Sequence, residues 1–205
     1  DGAISPILLG ALQDGRIETV PERLERLALL AKQWLRLRAS ANREKKVAFI
    51  VYDYPPGLGK KATAALLDVP QTLFAILQRL KKEGYNVGAL PASAEELFQA
   101  LERATDPQFV QHDSLVINHE DFKQVTSYRE RERIDERWQQ FPGDIVPIDD
   151  HELFVGGLRF GNIFIGVQPR IGVQGDPMRL LFDKANTPHH QYMVFYRWIS
   201  RTFQA

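Results

Sequence analysis

Lys46–Tyr52 reads KVAFIVY, and the chain then turns through Asp53-Tyr54-Pro55-Pro56-Gly57. A short run rich in β-branched and aromatic residues, closed by a Pro-Pro-Gly turn, predicts a strand covered on both faces, as in parallel sheets. A helix is expected after it, near Ala62–Glu83, with Gly84 where a C-terminal glycine belongs. Pro70 falls inside that span, so it marks either a kink or the start of a shorter helix. Tyr85–Leu90 is then a candidate second strand. Strand, helix and strand make a βαβ unit with a right-handed crossover. The expected class is therefore α/β: a mostly parallel sheet flanked by helices.

Upstream, residues 1–15 carry short apolar pieces with no clear period. From Pro21 to Arg38, Leu24, Leu27, Leu30, Ala31, Trp34 and Leu37 recur at helical steps, and Pro21 suits a first helical turn. Residues 1–45 are expected to be a helical tether or the remainder of a preceding domain, and 46–205 an α/β domain, possibly incomplete at its C-terminus. Downstream, Ser93 with Glu96 resembles a capping box opening a helix to about Ala104. A charged helix is expected from Glu120 or Ser127 to Gln140, before Pro142-Gly143. Leu158–Val167 (LRFGNIFIGV) reads as the clearest strand of the second half. The last helix, from His189 or His190 to Phe203, carries Tyr192, Phe195, Tyr196, Ile199 and Phe203 on one side, an arrangement that suits a core.

Lys plus Arg balance Asp plus Glu at 26 each, which gives no reason to expect nucleic acid as a partner. There is no cysteine, so thiolate metal sites, iron–sulfur clusters and cysteine nucleophiles are excluded. No apolar run is long enough for a transmembrane segment. Beginning at Asp1 and ending on Gln204-Ala205, the chain reads as an internal fragment.

Pro56–Thr63 (PGLGKKAT) imitates a phosphate-binding loop but lacks its first glycine, and Lys61 stands where Ser or Thr is required. A strand-to-helix loop with solvated lysines is the better reading, so no ATP binding is assigned. Asp53 sits at the end of the first strand, where open α/β sheets bind ligands, although a role in the turn suits it better. The mixed charges of Tyr128–Arg137 fit a solvated helix face.

The richest segment is Gly166–His190, GVQPRIGVQGDPMRLLFDKANTPHH. A strand delivers a glycine-rich loop bearing Gln168, Arg170, Gln174, Asp176 and Arg179, and Pro188-His189-His190 opens the final helix. Loops leaving strand C-termini gather polar groups for ligands. Adjacent histidines point to different sides of a helix, so this pair alone makes a poor metal site. At a helix N-terminus the dipole favours a neutral imidazole able to accept a proton.

GNIFIGVQPRIGVQGDPMRLLF followed by PHH and an aromatic helix resembles the large, porphyrin-handling subunits of magnesium chelatases. The sister cobaltochelatases are similar around GNIFIGVQP and PHH, and Gly175–Phe182 (GDPMRLLF) resembles the magnesium branch. The resemblance runs through nearly the whole chain. Gln174 departs from it, standing where an acidic residue is expected, and Tyr192–Trp198 has some cobaltochelatase character. The resemblance implies a metal-inserting ligase that places Mg²⁺, as substrate, into protoporphyrin IX on the way to chlorophyll or bacteriochlorophyll. AAA-type partner subunits would hydrolyse the ATP, in the cytoplasm or a plastid stroma. Residue type and loop position then suggest His189 or His190 as a base and Asp176 as the metal-delivering ligand. Gln168, Arg170, Gln174 and Arg179 would hold substrate or loop. The alternatives are cobalt insertion into a corrinoid precursor, or a non-catalytic module that docks partner subunits.

Overall fold

The computed structural model describes residues 7–51, 67–109, 115–143, 149–169 and 187–203. The chain divides into two compact units, Asp1–Lys45 and Lys46–Ala205. In the first, β1 (Gly10–Gln13) and β2 (Arg16–Thr19) form an antiparallel hairpin, followed by α1 (Pro21–Ala39). The aperiodic reading of residues 1–15 missed this hairpin. Its signal was Asp14-Gly15: both residues have positive φ (50° and 78°), which two-residue hairpin loops of type I′ demand. Along α1 the apolar side chains of Leu24, Trp34, Leu35 and Leu37 are exposed.

In the second unit β3 (Val47–Val51) lies parallel to β7 (Ile163–Val167), and β7 lies antiparallel to β6 (Gly157–Phe160). The α/β class holds, with a sheet that is mixed rather than purely parallel. LRFGNIFIGV is two strands, not one. Gly161 (φ 58°) occupies the first position of a two-residue turn, and a Cβ there would lie 2.6 Å from the Asn86 carbonyl oxygen. Only glycine fits that approach. Tyr85–Leu90 is correspondingly not a strand. Gly88 breaks its extension with φ 66°, and the parallel place beside β3 belongs to β7. The segment instead docks on the hairpin turn, where Asn162 N–H donates to Asn86 O at 2.8 Å.

A separate antiparallel pair joins β4 (Leu115–Asn118) to β5 (Glu152–Val155). The first described helix of this unit, α2 (Val69–Lys82), starts at Val69 with Pro70 in its first turn, the shorter of the two spans expected, and Ala62 lies outside the described residues. Asp68 caps it by accepting from Gln71 N–H, and Pro70 takes a first-turn place where no amide donor is needed. Gly84 (φ 82°) ends it with Tyr85 N–H on Leu80 O and Gly84 N–H on Lys81 O, a Schellman closure. Ser93 caps α3 (Ala94–Ala104) as its spacing with Glu96 predicted. Of the two starts expected for the charged helix, Glu120 belongs to a separate helix, α4 (His119–Val125), and Ser127 is the one observed, as the cap of α5 (Tyr128–Trp138). Each opens on its own capping box, Asn118 with Asp121 and Ser127 with Glu130. The chain's last helix is α6 (His190–Phe203).

The strand period of two sorts β7 between two cores. Ile163 and Ile165 point to α2 and α3, packing with Leu73, Leu77, Leu97 and Leu101. Phe164 points the other way, to Phe195 and Ile199 of α6 and to Phe122, Ile134 and Leu153. Gly166 lets α6 approach: a Cβ there would sit 2.8 Å from the Phe195 ring. Fully burying side chains of this size contributes about 1.5–3 kcal/mol each, so both faces of the small sheet are strongly held.

Candidate functional site

The two cores fix where the helices go. α2 packs on one face of the β3–β7 pair and α6 on the other. Open α/β sheets bind ligands beyond the carboxyl ends of their parallel strands. Gln168 stands at that point. Its backbone N–H donates to Val51 O at 2.7 Å, carrying the ladder one residue past β7. Its side-chain Oε1 accepts from the Tyr196 hydroxyl. Burial, and then the neighbouring Tyr192, hold the Tyr196 phenol above its ordinary pKa. The hydroxyl therefore stays a proton donor across the working pH range.

Both histidines are enclosed, His189 at 2% and His190 at 1% exposure, but they are held differently. His189 precedes the first turn of α6, and its Nδ1 accepts the Tyr192 N–H at 3.2 Å, an imidazole acting as a helix cap. A neutral ring that accepts at Nδ1 carries its proton on Nε2. His190 turns the other way and places Nε2 2.9 Å from Asp135 Oδ1 on α5. A carboxylate only accepts, so that nitrogen also bears a proton. Phe122 and Phe141 flank the ring, with centroids at 5.3 and 5.8 Å. Gly143 faces Nδ1, where a Cβ would come within 2.8 Å. Trp138 Nε1 donates to Thr187 O at 2.8 Å and fixes the approach to the two histidines.

Of the residues singled out in the sequence, Gln168, His189 and His190 are described. Arg170, Gln174, Asp176 and Arg179, together with Asp53 and the Lys60–Lys61 pair, lie outside the described residues. Asp135, Tyr192, Tyr196 and Gly143 were not picked out as site residues. Asp135 was read as part of a solvated charged face, and the tyrosines as part of an apolar stripe. The signal for the tyrosines was their hydroxyls at i,i+4 on a helix otherwise paved with Phe, Val and Ile. Among the described residues no group of three or more His, Asp or Glu side chains converges to hold a metal ion. No described helix is long and apolar enough to cross a membrane.

The fold is an α/β unit with a mixed sheet, in which Gln168, Tyr192, Tyr196 and His189 are gathered near the carboxyl end of β7. The family profile described as CobN/Magnesium Chelatase matches residues 1–205, and the chain belongs to that family. It is 67% identical over 207 residues to a Chlorobaculum parvum protein named as a magnesium-chelatase subunit, covering 100% of this chain and 16% of that protein. It is 37% identical over 210 residues to the chloroplastic magnesium-chelatase subunit ChlH of Oryza sativa subsp. indica, covering 100% of this chain and 15% of that one. Among solved structures, the catalytic subunit of cobaltochelatase from Mycobacterium tuberculosis superposes with a TM-score of 0.72 at 27% identity, covering 93% of this chain and 16% of that one. The chain thus spans about a sixth of the length of these relatives.

Proposed function

We propose that this chain is part of the porphyrin-handling subunit of a magnesium chelatase, a metal-inserting ligase serving chlorophyll or bacteriochlorophyll synthesis. The observation that carries the reading is the 67% identity, over the whole chain, to the Chlorobaculum parvum magnesium-chelatase protein. The reaction exchanges two pyrrole N–H protons of protoporphyrin IX for one Mg²⁺, so the substrates are a flat dianion-to-be and a tightly hydrated hard cation. Mg²⁺ sheds water reluctantly and favours oxygen ligands, while the pyrrole protons need bases with a pKa near neutrality.

On this reading Asp176 supplies the oxygen ligand that delivers Mg²⁺, and Gln168, Arg170, Gln174 and Arg179 orient the porphyrin. His189 or His190 accepts a proton. The hydrogen bond to Asp135 favours His190, because it fixes the orientation of the ring. Its near-complete burial requires the Gly143 turn to open first. ATP is hydrolysed by AAA-type partner subunits and not by this chain. Relatives from a bacterium and from a chloroplast fit a cytoplasmic or stromal enzyme. Residues 1–45 then serve as a tether within a subunit about six times longer.

Cobalt insertion is the second reading, favoured by the superposition on the mycobacterial cobaltochelatase. An insertion assay decides between them. The full-length subunit and its ATPase partners are offered Mg²⁺ with protoporphyrin IX, and separately Co²⁺ with a corrinoid. Formation of the magnesium porphyrin, abolished by Asp176→Asn with porphyrin binding retained, is the expected result. Cobalt insertion alone would overturn the magnesium reading. Partner binding without any insertion would make the protein a docking module.

A further inference from the structure

We infer that Tyr192 and Tyr196, locked to Gln168, form a ledge at the carboxyl end of the parallel β3–β7 pair on which the flat tetrapyrrole rests. The inference rests on the reading of this chain as part of a magnesium chelatase and adds to it a pair of substrate-contacting side chains.

Placement comes first. Gln168 stands at the carboxyl ends of β3 and β7, and the Tyr196 hydroxyl is bonded to its carboxamide. Tyr192 lies one helical turn away, with its ring centroid 4.8 Å from that of Tyr196 and the two planes 46° apart. Beyond Tyr192 the row continues to the His189 ring at 6.1 Å. A row of ring side chains therefore runs from Gln168 along α6 to His189.

The division of labour on α6 supports a ligand role over a packing one. Val194, Phe195 and Ile199 are the buried apolar positions that hold the helix to the sheet, and Tyr196 packs at the margin of the same core. Tyr192 and Tyr196 are only half-buried. A core position gains nothing from a hydroxyl, which costs free energy to desolvate, whereas an aromatic body with a polar tip suits the wet rim of a binding site. Phe195 stands edge-on beneath Tyr196, at 5.3 Å and 84°, and backs its ring with a rigid wall. The bond to Gln168 then removes the remaining rotational freedom of Tyr196. A ring fixed before binding costs a ligand little ordering entropy. Because Gln168 Oε1 accepts from Tyr196, the carboxamide nitrogen is left as a donor. Among the described residues it meets no acceptor, and it suits a carboxylate at the margin of a tetrapyrrole.

The test is a titration of the chain with a water-soluble dicarboxylate porphyrin, read by tryptophan quenching and the shift of the main porphyrin band. It is run on the original chain and on Tyr192→Leu, Tyr196→Leu and Tyr196→Phe, each checked for unchanged thermal melting. Loss of a stacking ring is expected to weaken binding about ten-fold or more in each leucine variant. Tyr196→Phe keeps the ring and loses only the lock, so a smaller loss is expected, about three-fold. If a leucine variant fails to fold, the Phe and Trp replacements at the same position carry the comparison. Folded variants with unaltered affinity would overturn the ledge, as would a chain that binds no porphyrin. The insertion assay on the full-length subunit separates this failure from that of the parent reading. Magnesium insertion with an unchanged porphyrin KM in Tyr192→Leu and Tyr196→Leu defeats the ledge alone. No insertion by the unaltered subunit defeats the chelatase assignment.

Discussion

His190 on α6 reaches across to Asp135 on α5, Nε2 to Oδ1 at 2.9 Å, tying two helices that are 55 residues apart in sequence. The imidazole is buried between Phe122 and Phe141 while the carboxylate is partly open to solvent, so the cost of losing the bond falls on the ring. Asp135→Ala strips the acceptor from a buried N–H and is expected to destabilise the fold by about 1–3 kcal/mol. Asp135→Asn, which keeps an acceptor oxygen of similar reach, should cost less. Chemical denaturation of both variants checks the order, and an Asp135→Ala midpoint equal to that of the unaltered chain would show the bond to be idle.

A second tie between the same helices predicts an acid sensitivity. Glu130 accepts from the Ser127 backbone N–H and hydroxyl and pairs with Arg197 of α6. The Ser127 backbone bond first, and then the Ser127 hydroxyl and Arg197, hold the Glu130 carboxyl below its ordinary pKa. A group depressed in the folded state stabilises it above the unfolded pKa and loses that contribution as pH falls through the folded value. Stability should therefore be flat from neutral pH down to the ordinary glutamate range and drop beneath it. Glu130→Gln should flatten the drop. The cap itself is tested by Ser127→Ala, expected to cost about 1 kcal/mol at neutral pH.

How much of this was legible depended on whether the signal was local. The strand Val47–Val51, the Ser93 cap and the Gly84 stop were readable because each is set by residues within one turn of one another. The hairpins were not, although Asp14-Gly15 and Gly161-Asn162 carry the turn chemistry. An apolar run masked the second, since β7 is buried on both faces and shows no alternation to break. The parallel partner of Val47–Val51 is chosen by tertiary packing between distant segments, and the nearer Tyr85–Leu90 only looked eligible. At the candidate site, the strand end pointed to Gln168 and the helix start to the two histidines. Asp135 could not be found this way, because a charged residue in a charged helix acquires meaning only when His190 folds against it.

Phe195 offers a direct measure of how firmly α6 is held to the sheet. Its ring is fully buried, backs Tyr196, and packs on Phe164 with centroids 6.4 Å apart. Phe195→Ala should cost about 3–5 kcal/mol through lost burial and the cavity it leaves. Gly166→Ala attacks the same contact from the strand side, since its new methyl would meet the Phe164 and Phe195 rings. Overpacking of this kind costs about 1–3 kcal/mol. The two sites are in contact, so their effects should fail to add. Calorimetric melting of the single and double variants measures that coupling, and simple additivity would mean that the helix does not rest on the glycine.

Gly143 and Gly84 make a controlled pair. Both have positive φ, 76° and 82°, so replacing either with alanine incurs the left-handed penalty of about 1–2 kcal/mol. At Gly84 a Cβ meets nothing within 4 Å, and the penalty should be the whole effect. At Gly143 it would lie 2.8 Å from His190 Nδ1 and 3.0 Å from the Trp138 carbonyl oxygen, neither of which can withdraw without breaking the Asp135 bond or unwinding the end of α5. Gly143→Ala should therefore be the more destabilising of the two in urea. It should also disturb the ring resonances of His190, which Gly84→Ala should leave in place. Equal destabilisation by the two would mean that the Gly143 turn is not pressed against the imidazole. The turn would then need no opening for a substrate to reach Nδ1.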